Sequence, residues 1–468
     1  MKQWVFVSSC LFGLVAGSTT LEAAKPNIVF ILADDLGWTD LGCFGSKYYE
    51  TPNIDRLAQQ GMRFTSAYSN GPNCAPTRAC LMSGRYTPRH GIYTVGTGTR
   101  GKEQFRKMIP VENKTVLSTN VVTIAERLQA AGYTTAHMGK WHLGNPPQAG
   151  PNEQGFDLNV AGDRRGSPPT YFSPYRNTYL EDGPKGEYLT DRLTDEAVKF
   201  IGTKREKPFF LYLAHYAVHT PIQAKKSLID KYKKKDPSEG HSNPTYAAMI
   251  HSLDESVGRI LDKLDELKLA ENTVVIFTSD NGGLGGYHAL NLFTRDVTSN
   301  APLKGGKGML YEGGIRVSTI VRWPGVTKPG TLCNEPIVTL DFYPTLMELA
   351  GIESKPADQL DGLSIVGLLK SGGDGRLKRE ALYWHFPGYL QANQNRGTWR
   401  TTPGGIVRQG DYKLIEFFEE GRLELYNLKD DLSERHNLTR KMPEKTRELH
   451  RLLAAWRKSV NAPMPKRK

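Results

Sequence analysis

The chain has 468 residues, 38% hydrophobic and 24% charged, so it can bury a large core and is too long for one minimal domain. The five cysteines are few for a chain of this length, too few for a dense disulfide framework once any are lost or modified. A formal net charge of +12 favours acidic partners, but no helix-turn-helix, zinc-finger or RNA-binding signature accompanies it, which argues against nucleic acid.

Met1-Lys2, an apolar stretch from Trp4 to Ala16 and small residues through Ala24 read as a removable secretory signal over 1–24. A membrane anchor needs about 20 apolar residues, and Ser8, Ser9 and Gly17 break this run. The expectation is a secreted or periplasmic protein with no stable membrane span. Cleavage would remove Cys10 and leave Cys43, Cys74, Cys80 and Cys333, with room for one bridge whose pairing stays open.

Alternating elements then predict a mainly parallel sheet covered by helices. Asn27 to Ala33 is continuously apolar, as a strand buried on both faces should be. Pro52 to Gln60 reads as a helix, and so does Thr123 to Ala131, capped by Thr123 and stopped by Gly132. Pro208 to Tyr216 and Thr273 to Ser279 are further buried strands, separated by a long amphipathic helix from about Tyr246 to Leu267. Thr339 to Ala350 gives another helix. The run Ser371 to Gly375 reads as a linker between a larger domain over 25–370 and a smaller one over 376–468. The smaller domain carries short β segments at Ala381–Phe386, Ile406–Gln409, Tyr412–Phe418 and Leu423–Asn427, then a helix over about Pro443 to Val460.

In open α/β sheets, functional groups gather at the carboxyl ends of the strands. Asp34-Asp35 ends the first strand, and Asp280-Asn281-Gly282-Gly283 follows the Thr273 to Ser279 strand. Each alone is equally explained as a turn. Together they offer three carboxylates and an amide oxygen, a hard set suited to Ca²⁺ or Mg²⁺ rather than zinc. Lys140 and His142 lie two apart in Gly139-Lys140-Trp141-His142-Leu143-Gly144, so on an extended segment both would project to one face. His219 follows the Phe209 to Tyr216 strand, and Lys307 lies in the glycine-rich run ahead of Tyr311-Glu312-Gly313-Gly314-Ile315-Arg316, with Lys304 nearby as a weaker candidate. His215, Asn291, Arg295 and His385 are candidates for the pocket mouth or equally for core and surface. Trp384, His385 and Tyr389 are candidates for a sugar subsite, with the domain core the alternative for Trp384.

The run Cys74-Ala75-Pro76-Thr77-Arg78-Ala79-Cys80-Leu81-Met82-Ser83-Gly84-Arg85 resembles the C-x-P-x-R…GR signature of the sulfatase family. The family's other motifs follow in order, from about Pro26 to Glu424-Leu425-Tyr426-Asn427-Leu428. Thr77 stands where serine is common, Ser83 where threonine is, and Asp430-Asp431 where Asp-Pro is usual.

The resemblance implies an alkaline-phosphatase-like α/β/α sandwich with a mainly parallel sheet and a smaller C-terminal α+β domain with an antiparallel sheet. It also implies oxidation of Cys74 to formylglycine by a sulfatase-maturing enzyme. The hydrate is then the nucleophile, because its second hydroxyl lets the adduct collapse and release sulfate, where a plain serine would stall. Asp34, Asp35, Asp280 and Asn281 would hold one Ca²⁺, joined by the oxygen of residue 74. Lys140, His219 and Lys307 would contact sulfate, with His219 or Lys307 also able to protonate the departing alcohol, and His142 would be the base. Arg78, always charged and rigidly forked, would orient the diol and offset the acidic cluster. The expected substrate is a sulfated carbohydrate, with an aryl sulfate as an artificial one. The rivals are a phosphodiesterase or phosphonate hydrolase on the same fold and a non-catalytic glycan-binding relative.

Overall fold

The computed structural model describes Met1 and residues 25–203, 206–292, 296–393 and 395–468, with Ala357 described by its backbone alone. The expected signal segment, Cys10 and Arg295 therefore lie outside the described residues. Eight strands build one sheet: β1 (Asn27–Ala33), β2 (Met62–Phe64), β3 (Thr134–Gly139), β4 (Leu158–Val160), β5 (Phe209–Ala214), β6 (Thr273–Ser279), β7 (Thr319–Arg322) and β8 (Thr331–Cys333). Their order is β8-β2-β7-β6-β1-β5-β3-β4. The pairs β1–β5, β1–β6, β3–β5, β3–β4 and β2–β8 are parallel, while β7 runs antiparallel to β2 and β6.

Period-two alternation along β1 shows why its sequence is apolar throughout. Val29, Ile31 and Ala33 face one core, packed with α1 (Pro52–Gln60), α4 (Leu189–Gly202) and α5 (Pro244–Glu266). Ile28, Phe30 and Leu32 face the other, packed with α2 (Cys74–Ser83), α3 (Ile124–Ala130) and α6 (Phe342–Leu349). This is the three-layer α/β/α sandwich. The Thr123 hydroxyl accepts the Glu126 N–H while the Glu126 carboxylate accepts the Thr123 N–H, a complete capping box at the predicted start of α3.

The C-terminal part forms a four-stranded antiparallel sheet of β9 (Leu382–Phe386), β10 (Gly404–Gln409), β11 (Tyr412–Phe417) and β12 (Arg422–Asn427), with α7 (Pro443–Ser459) against it. Its core is continuous with the larger body: Tyr68, Cys80, Leu310, Ile315 and Leu340 pack with Trp384, Ile406, Leu453 and Trp456. Trp384 Nε1 donates to Ser69 O at 2.7 Å, which settles it as core rather than a sugar platform. Tyr389 is buried with its hydroxyl on Glu419, and His385 is buried with Nε2 on Pro463 O at 2.8 Å.

A helix start and an unpredicted strand differ from expectation. Thr339–Asp341 is a 3-10 turn and the α-helix starts at Phe342, because Asp341 folds back to accept the Val338 N–H at 2.9 Å. The polar strand β3 gave no hydrophobic signal; its neighbours bury it. Cys43, Cys74, Cys80 and Cys333 are all free thiols, so no bridge joins them.

A buried ion cluster fastens the two parts. Lys413 Nζ lies 3.0 Å from Glu312 Oε1 and 2.8 Å from Glu434 Oε1, while Arg316 Nη1 and the Tyr68 hydroxyl reach Glu312 Oε2 at 3.0 and 2.7 Å. Removing one partner of such a cluster strands buried charge. Lys413→Ala should therefore destabilise the protein by about 3–5 kcal/mol in urea unfolding, whereas exposed Lys429→Ala should stay within about 0.5 kcal/mol; equal effects would refute the role of the cluster.

Candidate active site

Four adjacent strands deliver the site. Register aligns Leu32 with Ala214, Ala33 with Ser279 and Gly139 with Ala214, so the residues that follow emerge along one edge: Asp34 and Asp35 from β1, Asp280 and Asn281 from β6, His215 to His219 from β5, and Lys140 from β3. Backbone bonds hold the edge together, with Asp280 N–H on Ala33 O at 3.1 Å, Asp34 N–H on Ala217 O at 2.9 Å and Lys140 N–H on Ala214 O at 2.7 Å.

Helix α2 supplies residue 74. Cys74 is its first residue and Arg78 lies four further on, so both occupy one face and the guanidinium sits one turn below the thiol. The helix stops at Gly84, whose φ of 65° and close approach to Tyr343 exclude a side chain.

The charges interlock. Arg78 Nε and Nη2 donate to Asp280 Oδ2 at 2.9 and 2.7 Å, and Nη1 donates to Lys140 O at 2.7 Å. Lys140 Nζ meets Asp34 Oδ2 at 2.7 Å, and Lys307 Nζ meets Asp35 Oδ2 at 2.7 Å. His219 Nε2 lies 3.6 Å from the same Asp35 oxygen while its Nδ1 sits 2.7 Å from Thr220 O. Lys304 instead packs over the Tyr311 ring at 3.9 Å, outside this group.

Burial alone would raise the Cys74 thiol, but Lys140 and Lys307 outweigh it and pull it down to about 6. Position 74 therefore stabilises a negatively charged side chain. Burial opposes ionisation of Asp35 too, and Lys307 and His219 overcome it, holding this carboxyl below the usual carboxylate range. Burial and the Asp280 carboxylate push Asp34 well above that range, with Lys140 offsetting only part. Burial and the surrounding cations Lys140 and Arg78 drive His142 well below its ordinary value, so its ring is neutral. For His219, burial and Lys307 oppose protonation, and Asp35 and Asp34 more than offset them, raising it.

The oxygen donors of the site fit a hard cation, with a thiol and an imidazole beside them. One ligand atom from each of Asp34, Asp35, Cys74 and His219 falls within 4.8 Å of the others. Asp34 Oδ1 and Asn281 Oδ1 are buried without a hydrogen-bond partner, and the Asn281 amide is held by Nδ2 donating to Asp35 Oδ1 and Gly282 O, both at 2.9 Å. Two orphaned buried oxygens cost free energy that a cation would recover. Asp280 is shared: Oδ1 accepts the Asp35 N–H at 3.2 Å and Oδ2 accepts two Arg78 N–H groups, which leaves a lone pair on Oδ1 for a cation.

Lys140 and His142 do not share an extended segment, since His142 has φ of 63°. The left-handed turn, with His142 N–H on Asp163 O at 2.9 Å, redirects the ring against Gly166. His215 is core, with Nε2 on Ser256 Oγ at 2.9 Å, and Asn291 is an exposed turn residue. Sequence reasoning missed Asn73, whose Nδ2 donates to Thr94 Oγ1 at 2.9 Å and ties the segment before the nucleophile position to a distant loop. A lone asparagine carries no signal for such a contact.

The profile of the sulfatase family matches residues 26–352, and that of the N-sulphoglucosamine sulphohydrolase C-terminal region matches residues 306–459. A sulfatase of Formosa agariphila is 36% identical over 98% of this chain and 94% of its own. The N-acetylgalactosamine-6-sulfatase of Mus musculus is 35% identical over 79% of this chain and 70% of its own. The crystal structure of Ps i-CgsB in complex with k-i-k-neocarrahexaose superposes with a TM-score of 0.74 at 30% identity, covering 92% of each chain. Similarity of this extent, over the same residues that build the strand-edge site, makes the chain a member of the sulfatase family and a sulfuric ester hydrolase.

Proposed function

We propose that this protein is an exported sulfatase that removes sulfate from a sulfated carbohydrate, using one Ca²⁺ and a formylglycine made from Cys74. The observation that carries the reading is the convergence on Cys74 of Lys140, Lys307 and His219 beside the oxygens of Asp34, Asp35 and Asn281. Relatives that act on N-acetylgalactosamine-6-sulfate or hold a neocarrahexaose favour a sugar ester as substrate. Export rests on the signal-like segment over 1–24, and the excess of basic residues suits a sulfated polymer.

Hydrated formylglycine at position 74 would supply the attacking oxygen and the hydroxyl whose deprotonation frees sulfate. A bound Ca²⁺, held by Asp34, Asp35, Asp280 and Asn281, would supply the charge that polarises the sulfate. The chain's own residues do the rest. Arg78, anchored on Asp280 and Lys140 O, holds the face of α2 that carries residue 74. Lys140 and Lys307 lie where the sulfuryl oxygens gain charge, in a dry site where fixed cations act strongly. His219, whose proton affinity Asp35 and Asp34 raise against burial and Lys307, is the proton donor for the leaving alcohol, and the ring of His142, whose proton affinity is lowered by burial, is the base.

Cys74, Pro76 and Arg78 are all buried in α2 of the folded protein, so a maturing enzyme must read them before folding. Mass spectrometry of the peptide around residue 74, from protein made in the native host, should show CH₂SH replaced by CHO; an unchanged cysteine in active protein would refute the nucleophile. Cys74→Ala should abolish sulfate release from sulfated oligosaccharides, and His142→Ala should lower kcat by about 10²–10⁴-fold with melting temperature retained. Chelation should remove one Ca²⁺ per chain, detected by elemental analysis, and lower the melting temperature. Calcium should restore both stability and turnover, and a protein indifferent to chelation would sink the metal assignment.

A further inference from the structure

Beside residue 74 the structure brings together two arginines that belong to none of the motifs above. The loop around Arg100 is fastened on both sides. Asn73, immediately before Cys74, donates to Thr94 Oγ1, and Asn113 Oδ1 accepts the Tyr93 and Thr94 N–H groups at 2.7 and 3.0 Å. Farther along, Tyr389 N–H donates to Gly98 O at 2.9 Å, and a Cβ at Gly101 would strike the Trp399 ring. Arg106 Nη1 donates to Thr99 O and Gly101 O at 2.7 and 2.8 Å, locking the turn that carries Arg100.

Arg400 arrives from the C-terminal hairpin of Leu390–Asn393 and Thr398–Thr401. Its stem lies against Gly308, whose N–H donates to Pro72 O at 2.6 Å, two residues before Cys74. Its guanidinium covers the Tyr287 ring at 4.8 Å, and the Tyr287 hydroxyl donates to Lys307 O at 2.7 Å. Arg400 therefore stands beside the loop that carries Lys307. Arg100 is within electrostatic reach of both Arg400 and Cys74: burial and the Arg400 charge destabilise its charged form, and a negative charge at Cys74 supports it. Among the described residues Arg100 has no carboxylate partner; its Nη2 donates only to Val95 O. The Arg100 guanidinium, half-buried beside a second guanidinium and with no carboxylate of its own among the described residues, costs free energy unless an anion joins it.

We infer that Arg100 and Arg400 form a second anion-binding subsite beside residue 74, which selects glycans carrying another sulfate or a carboxylate near the scissile ester. Trp399, half-buried, lies against Gly101 and 4.8 Å from the Tyr389 ring, and so ties the turn that carries Arg100 to the hairpin that carries Arg400. The inference rests on the sulfated-carbohydrate reading and specifies its substrate class. The two anions share one recognition chemistry, forked hydrogen bonding to guanidinium.

The test is binding without turnover, in a Cys74→Ala background, to three oligosaccharides of one backbone: monosulfated, with a second sulfate on the adjoining sugar, and with a uronate there. Isothermal titration should show at least one of the two dianionic sugars binding about tenfold more tightly, and which one identifies the second group. Arg100→Gln and Arg400→Gln should each remove that advantage and leave monosulfated binding within about twofold, while Arg100→Lys restores part of it; melting curves confirm folding. Equal affinity for all three sugars, or variants that weaken all three alike, would overturn the subsite. Turnover by the Cys74 protein is scored separately: no sulfate release together with preserved binding preference would sink the catalytic reading and leave the subsite standing.

Discussion

Three carboxylates withdrawn from water at the ends of neighbouring strands are the constraint around which this molecule is organised. Asp34, Asp35 and Asp280 are fully buried, and each would be costly alone. Lys140, Lys307 and Arg78 answer them one for one, at hydrogen-bonding distance. With that balance nearly closed within the protein, a divalent cation would leave an excess of positive charge, the condition for drawing in and holding a sulfate ester.

The fold exists to keep this balance rigid. Parallel pairing of β1 with β5 and β6 places successive strand ends side by side, and both faces of the sheet are sealed by helices. Helix α2 then presents residue 74 and Arg78 from one face, its end fixed by Gly84 against Tyr343. The C-terminal sheet belongs to the same arrangement. It is joined through the Glu312, Lys413 and Glu434 cluster and reaches the site rim with Arg400.

Much of this was legible in the chain. Asn27–Ala33 and Thr273–Ser279 have the predicted bounds, because a strand covered on both sides must be apolar at every position. The strands of the C-terminal sheet and the long helix over Pro244–Glu266 likewise announce themselves by period and by turn residues. The polar strand Thr134–Gly139 did not, since its burial comes from neighbours on either side. His142 shows the same limit: spacing implied an extended segment, and the hydrogen bond from its N–H to Asp163 O turns it instead.

The chemistry present is readable from local pattern: the Cys74 to Arg85 run, the acidic strand ends and the isolated Lys and His residues are all written where local chemistry needs them. Packing settles how those groups are paired, which oxygens of Asp34 and Asn281 stay open, that Lys307 rather than Lys304 enters the site, and that Arg100 and Arg400 come within electrostatic reach of each other. Each of these depends on contacts between segments far apart in the chain, and no local pattern encodes a partner that only the packing of sheet, helix and hairpin brings within reach.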